Sequence, residues 1–138
     1  MSLVPQLAIV APCYNEEAAL KDSLEKLVVK IKELIAKGMV KDSSYLLVVD
    51  DGSKDASYSI LQAAVGKYIK VLKLAGNVGH QRALLAGMHW ATDKCDVMIS
   101  MDIDLQDDPD TIDRMLDEYA KGNDIVYGVR DNRDADSW

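Results

Sequence analysis

Along this chain the spacing of apolar residues switches repeatedly between a strand-like and a helix-like period. "QLAIVAP" (6–12) is a short, nearly continuous apolar run bounded by Pro12, the pattern of a buried strand. From Asn15 the period lengthens, and Leu20, Leu24, Leu27, Val28, Ile31, Leu34 and Ile35 recur at helical spacing. Glu16 and Glu17 suit the positive end of that helix's dipole, and Gly38 supplies its stop. "YLLVVDDGS" (45–53) reads as a second strand running into a turn. Ser53 or Asp55 can cap the next helix, whose inner face would carry Ala56, Ile60, Ala63 and Ala64. "IKVLKL" (69–74) alternates with period two, as a strand nearer a sheet edge does.

A third helix is expected over 77–91, "NVGHQRALLAGMHWA", and a strand over 96–101, "DVMISM". Pro109 sits at a favoured first helical position with Asp108 before it as cap. Ile112, Met115, Leu116 and Tyr119 would form that helix's core face, and Gly122 would end it. "DIVYGV" (124–129) predicts a fifth strand. The order β-α-β-α-β-α-β-α-β predicts an α/β fold, a mostly parallel sheet with helices on both faces. Ligands of such sheets bind beyond the carboxyl ends of the strands. That rule brings "PCYNEE", "DDGSKD", "GNVGHQ" and "DIDLQDD" to one edge.

Composition narrows the choice of partner. The 138 residues, 49% of them hydrophobic, suffice for a single domain (1–138) with its own core. A net charge of −7 argues against a nucleic-acid surface, which needs clustered Lys and Arg. No apolar run approaches a membrane span, and the start lacks a leader pattern, so the segment reads as soluble. Cys13 and Cys95 lack metal-ligand spacing and read as buried free thiols in a reducing compartment. "RDNRDADSW" carries no closing element, which suggests the N-terminal part of a longer protein.

Each of the four loops offers chemistry and a plainer reading. In an extended stretch Asp102, Asp104 and Gln106 project together while Ile103 and Leu105 point away. Two carboxylates and an amide oxygen suit Mg²⁺ or Mn²⁺; the plain reading is a solvated acidic loop. Asp107, Asp108 and Asp110 read as acids at a helix N-terminus. Asp50 and Asp51 can accept from a ribose hydroxyl or a base N–H, or can simply serve an Asp-Gly turn. Gly79 either opens backbone N–H groups to a phosphate or meets a need of the turn. His80 is a phosphate donor or a surface imidazole, and Arg130 and Arg133 neutralise phosphates or belong to a solvated tail. The absence of GxGxxG and GxxxxGK[ST] weakens dinucleotide oxidoreductase and P-loop readings.

Together "VAPCYNEE", "VVDDGSKD", "NVGHQRALLAGM" and "MDIDLQDDPD" resemble, in order and spacing, the family-2 glycosyltransferases of GT-A fold. The branch they look most like is the polyprenyl-phosphate one, that of dolichol-phosphate mannose synthase and the bacterial undecaprenyl-phosphate glycosyltransferases. The resemblance implies a first nucleotide-contacting loop at Pro12, Tyr14, Asn15 and Glu16, and a base- or ribose-binding acid at Asp51. It implies that Asn77 and Gly79 close over the nucleotide. Asp102, Asp104 and Gln106 match the DxD-type site where Mg²⁺ or Mn²⁺ bridges the donor diphosphate. Arg130 and Arg133 match basic residues near the phosphates, so Asp104 and Arg130 carry the catalytic expectation. The family's commonest form is "DADLQxPP"; Ile103 and Asp108 depart from it, off the ligand face.

The implied reaction moves a sugar from a UDP- or GDP-sugar to a polyprenyl-phosphate lipid with inversion, at the cytosolic face of a membrane contacted through a further C-terminal part. Two other readings stand beside it. One is a receiver-like or phosphatase-like Mg²⁺ domain, although the first strand ends in "APCYNEE" without an Asp. The other is a non-catalytic nucleotide-sugar-binding fragment.

Overall fold

The computed structural model describes residues 4–104 and 108–122. The expected strand 124–129, together with Gln106, Arg130 and Arg133, lies outside the described residues. Among the described residues four strands form one sheet: β1 (Leu7–Cys13), β2 (Tyr45–Asp50), β3 (Ile69–Lys73) and β4 (Val97–Ser100). They are joined and followed by α1 (Glu17–Ala36), α2 (Ser57–Ala64), α3 (His80–Ala91) and α4 (Thr111–Ala120). The sheet is parallel with order β3-β2-β1-β4, which puts β3 at an edge as its alternation implied.

The order also explains the layering. β1, β2 and β3 step outward in one direction, so α1 and α2 lie on one face. The chain then returns across β1 to reach β4. A right-handed crossover in that direction puts α3 on the opposite face. β1 and β2 are buried on both faces, which is why they read as unbroken apolar runs. Leu7, Ile9, Ala11, Leu46 and Val48 meet α1, α2 and α4, whereas Ala8, Val10, Leu47 and Val49 meet α3.

β1 extends one residue beyond the expected end and takes in Pro12, which pairs with Val49. A proline in a central strand loses one ladder donor. Here that loss is harmless. Val10 O accepts from Met101 N–H on the β4 side and Cys13 O from Asp51 N–H on the β2 side. Alternation therefore turns Pro12 toward β4, whose pairing has already ended at Val10↔Ser100.

α1 buries Leu20, Leu24, Leu27, Ile31 and Leu34 as expected, each worth about 1.5–3 kcal/mol of transfer free energy. Gly38, at φ +74°, ends it: Met39 N–H donates to Leu34 O and Gly38 N–H to Ile35 O. The other helices depart from expectation in detail. α2 buries Ser57 and Leu61, with Ile60 and Ala64 partly covered, while Ala56 and Ala63 face solvent. α3 starts at His80, directly after Gly79, where a helix start was expected. α4 starts at Thr111, after a turn in which Asp108 Oδ1 accepts from Asp110 N–H. Ile112 and Leu116 are buried there, but Tyr119, expected on the core face, is exposed.

Candidate functional site

β1, β2, β3 and β4 all end at the same edge, and the strand order reverses direction beside β1. Such switch points leave a crevice between diverging loops. A cavity of about 390 Å³ opens there, lined by residues of all four strand-to-helix loops. From β1 and its loop come Pro12, Cys13, Tyr14 and Glu16, and from the β2 tip Asp51. Asn77, Gly79 and His80 enter from the third loop, and Asp102, Ile103 and Asp104 from the fourth.

Of the residues singled out from the sequence, Pro12, Tyr14, Glu16, Asp51, Asn77, Gly79, Asp102 and Asp104 therefore meet around one space. Asn15 does not line it. Its N–H donates to Ser53 Oγ at 3.0 Å and its Oδ1 accepts from Lys54 N–H at 2.8 Å. Ser53 is thereby engaged with the first loop, and the capping of α2 falls to Asp55, whose Oδ1 accepts from Ser57 N–H at 2.9 Å.

The two adjacent aspartates at the β2 tip divide. Asp50 is fully buried, does not line the cavity, and has no hydrogen-bond partner for either carboxylate oxygen among the described residues. It pairs in register with Cys13. Burial first, then the Asp50 charge, pushes the Cys13 thiol up to about 12, so it stays a protonated core thiol. Asp51 turns into the cavity wall. Its Oδ1 accepts from Val78 N–H at 2.8 Å and its Oδ2 from Gly79 N–H at 3.0 Å.

Those two bonds bear on the two readings of the third loop. The N–H groups of Val78 and Gly79, at the mouth of α3, are held by a carboxylate of the chain itself. Gly79 meets a backbone requirement: φ +99° and ψ 153° lie in a region that side chains do not tolerate. Gly52 is constrained as well, because a Cβ there would stand 2.7 Å from Asn77 N and 2.8 Å from Gly76 C. The β2 and β3 loops thus touch backbone to backbone.

The acidic wall faces Glu16. Burial, then Asp104, Asp55 and Asp102 in turn, raise the Glu16 carboxyl above its usual range. His80 Nε2 lies 3.4 Å from Asp102 Oδ1. A concentration of carboxylates that penalises one another's charge is the setting in which a hard divalent cation is stabilised, and the oxygen donors of Asp102 and Asp104 fit one. Among the described residues no three His, Cys, Asp or Glu side chains converge on one ion position. Two carboxylates would therefore need further oxygens from Gln106, a bound ligand or water.

Sequence reasoning missed His80 as a neighbour of Asp102, and it missed Lys30. The Lys30 ammonium is almost covered, 2.6 Å from Asp110 Oδ1 and 3.1 Å from Asp113 Oδ1, with Glu33 Oε2 at 3.3 Å. This cluster ties α1 to the start of α4, directly after the acidic loop. A lysine within an apolar heptad-like face gave no signal of its partners some eighty residues away. Among the described residues no helix is long and apolar enough to cross a membrane.

Comparison with known proteins agrees with this arrangement. The model of the family "Glycosyl transferase family 2" matches residues 8–138. The chain is 43% identical over 136 residues to the uncharacterized glycosyltransferase YkoT of Bacillus subtilis (strain 168), covering 97% of this chain and 40% of that protein. It is 36% identical over 135 residues to the undecaprenyl-phosphate 4-deoxy-4-formamido-L-arabinose transferase of Pseudomonas paraeruginosa (strain DSM 24068 / PA7), covering 96% of this chain and 38% of that protein. The chain thus spans about two fifths of the length of these relatives. Among solved structures it resembles the mannosyltransferase PcManGT from Pyrobaculum calidifontis, determined in complex with GDP-Man and Mn²⁺. That match has a TM-score of 0.64 at 19% identity and covers 80% of this chain and 31% of the other. The fold is the α/β, GT-A-like architecture of such glycosyltransferases.

Proposed function

The chain belongs to glycosyl transferase family 2, and from that membership we propose that its cavity holds the nucleoside diphosphate of an activated sugar donor with a divalent metal. One observation carries the reading: Asp102 and Asp104 share a cavity with Tyr14, Asp51 and Gly79, at the switch point of a parallel sheet. Tyr14 offers an exposed ring to a base, and Asp51 keeps carboxylate lone pairs that can accept from a base or ribose. Pro12, Glu16 and Asn77 complete the walls on that side. Mg²⁺ or Mn²⁺, when bound, would neutralise charge on the diphosphate as the sugar bond breaks. Asp102, Asp104 and Gln106 would hold it. Arg130 and Arg133 would add positive charge toward the leaving diphosphate, a pre-organised electrostatic contribution.

The same reading takes a polyprenyl phosphate as acceptor, with inversion at the sugar carbon. Support comes from the relative whose name specifies undecaprenyl phosphate. A phosphate acceptor is anionic at neutral pH, so no residue of the chain need act as a general base. Contact with the acceptor and the membrane would involve parts of the protein outside these residues, and 1–138 would be its nucleotide-sugar-binding domain. The test is calorimetry of UDP and GDP with Mn²⁺ on the chain and on Asp104→Asn. Nucleotide affinity should fall at least about tenfold in the variant with metal present and stay unchanged in EDTA. Unchanged affinity with metal would contradict the metal role of Asp104.

A further inference from the structure

Neither of the first two helices carries a side-chain cap supplied by its own N-cap residue. Beside the local Asp55–Ser57 bond of α2, the two helix starts are bonded to each other. Glu16 N–H donates to Ser57 Oγ at 2.9 Å and Glu17 N–H to Asp55 Oδ2 at 3.2 Å. In return Ala56 N–H donates to Glu17 Oε2 at 3.1 Å. Orphan donors at two helix starts are thus satisfied across the gap between them.

Asn15 stands at the centre of this exchange. Among the described residues it is the one non-glycine with positive φ, at +51°, in the left-handed region that asparagine tolerates better than most side chains. The turn it makes leaves its neighbours Tyr14 and Glu16 lining the cavity while its own side chain lies on Lys54 N–H. We propose that Asn15 is a positioning residue: it locks the β1–α1 and β2–α2 loops into one unit and so fixes where Tyr14 and Glu16 stand in the cavity. The consequence for nucleotide binding rests on the function proposed above. The lock itself does not.

Three substitutions separate the roles. Asn15→Asp keeps both the acceptor oxygen and the tolerance of positive φ. Asn15→Gly keeps the backbone freedom alone, and Asn15→Ala keeps neither. In ligand-free protein the Lys54 amide should exchange hydrogen about tenfold faster, or more, in the Ala and Gly variants and at the wild-type rate in the Asp variant. Affinity for UDP or GDP with Mn²⁺ should follow the same order, about tenfold weaker in Ala and Gly and restored in Asp. Unchanged Lys54 exchange in both Ala and Gly variants would overturn the lock. Faster exchange with unchanged affinity would overturn the positioning role. Equal loss of affinity in all three, with exchange unaltered, would make Asn15 a direct ligand contact instead. Should the wild type bind neither nucleotide, the functional reading fails, and the exchange measurement still decides the lock.

Discussion

Asp51 spends both carboxylate oxygens on the backbone of the neighbouring loop while forming part of the cavity wall. Asparagine at this position retains one acceptor, so Asp51→Asn should leave either Val78 N–H or Gly79 N–H unpaired. Such a loss costs about 1–3 kcal/mol, and urea unfolding of the two proteins would measure it. A midpoint identical to wild type would mean that the loop is held by other contacts. At this scale much was legible, because strand tips in a parallel sheet converge and the residues on them can be named from the pattern. Asp51, Gly79, Asp102 and Asp104 were found that way, whereas Tyr14 and Glu16 came from the family resemblance. What escaped was direction. Whether Asp50 or Asp51 faces the cavity depends on strand parity at the last residue, and the outward turn of Asn15 depends on a single dihedral.

At the scale of elements, α3 packs on the sheet through Ala83, Gly87 and Ala91, small residues that bring the helix close. A Cβ on Gly87 would stand 2.6 Å from Val49 Cγ2 and 2.7 Å from Val10 Cγ1, both on stiff β-branched side chains in the central strands. Gly87→Ala should therefore destabilise the fold by about 1–3 kcal/mol despite the better helix propensity of alanine. A gain in stability on denaturation would show that α3 can move outward freely. α1 and α4 are joined by charge instead. Burial pushes the Asp113 carboxyl up, but hydrogen bonds from Lys37 and Lys30 outweigh it and hold the group below its usual range. Desolvation pushes Asp55 up as well, but its hydrogen bonds from Ser57 and Glu17 together outweigh it and lower the group.

A carboxyl lowered on folding stabilises the native state above its unfolded pKa, and that stability is lost as pH falls through the folded value. Urea midpoints should thus decline as pH drops below about 4. Asp113→Asn should start lower and decline less steeply. An equal slope in both would show that Asp113 contributes nothing to the acid transition. The periodicity revealed which helices exist and most of their inner faces. It gave no sign of Lys30, because partners in a charge cluster leave no periodic trace.

For the whole molecule, the order β3-β2-β1-β4 turns sequence into function. The return across β1 sets α3 opposite α1 and opens the crevice where the loops of all four strands meet. Alternation of strands and helices made the parallel sheet and the location of the site readable. The strand order was not, since it depends on which way each crossover folds back. The membership in glycosyl transferase family 2 and the GT-A-like fold agree with that architecture.

The proposed function has this cavity bind a nucleoside diphosphate only together with a divalent metal. Thermal unfolding of the chain with UDP or GDP, each with Mn²⁺ or with EDTA, reads that dependence. A ligand that binds only the folded state at a hundredfold excess over its dissociation constant adds about 2.7 kcal/mol. The melting temperature should rise only when the metal and one of the two nucleotides are both present. An unchanged melting temperature in every combination, or an equal rise in EDTA, would contradict the proposed function.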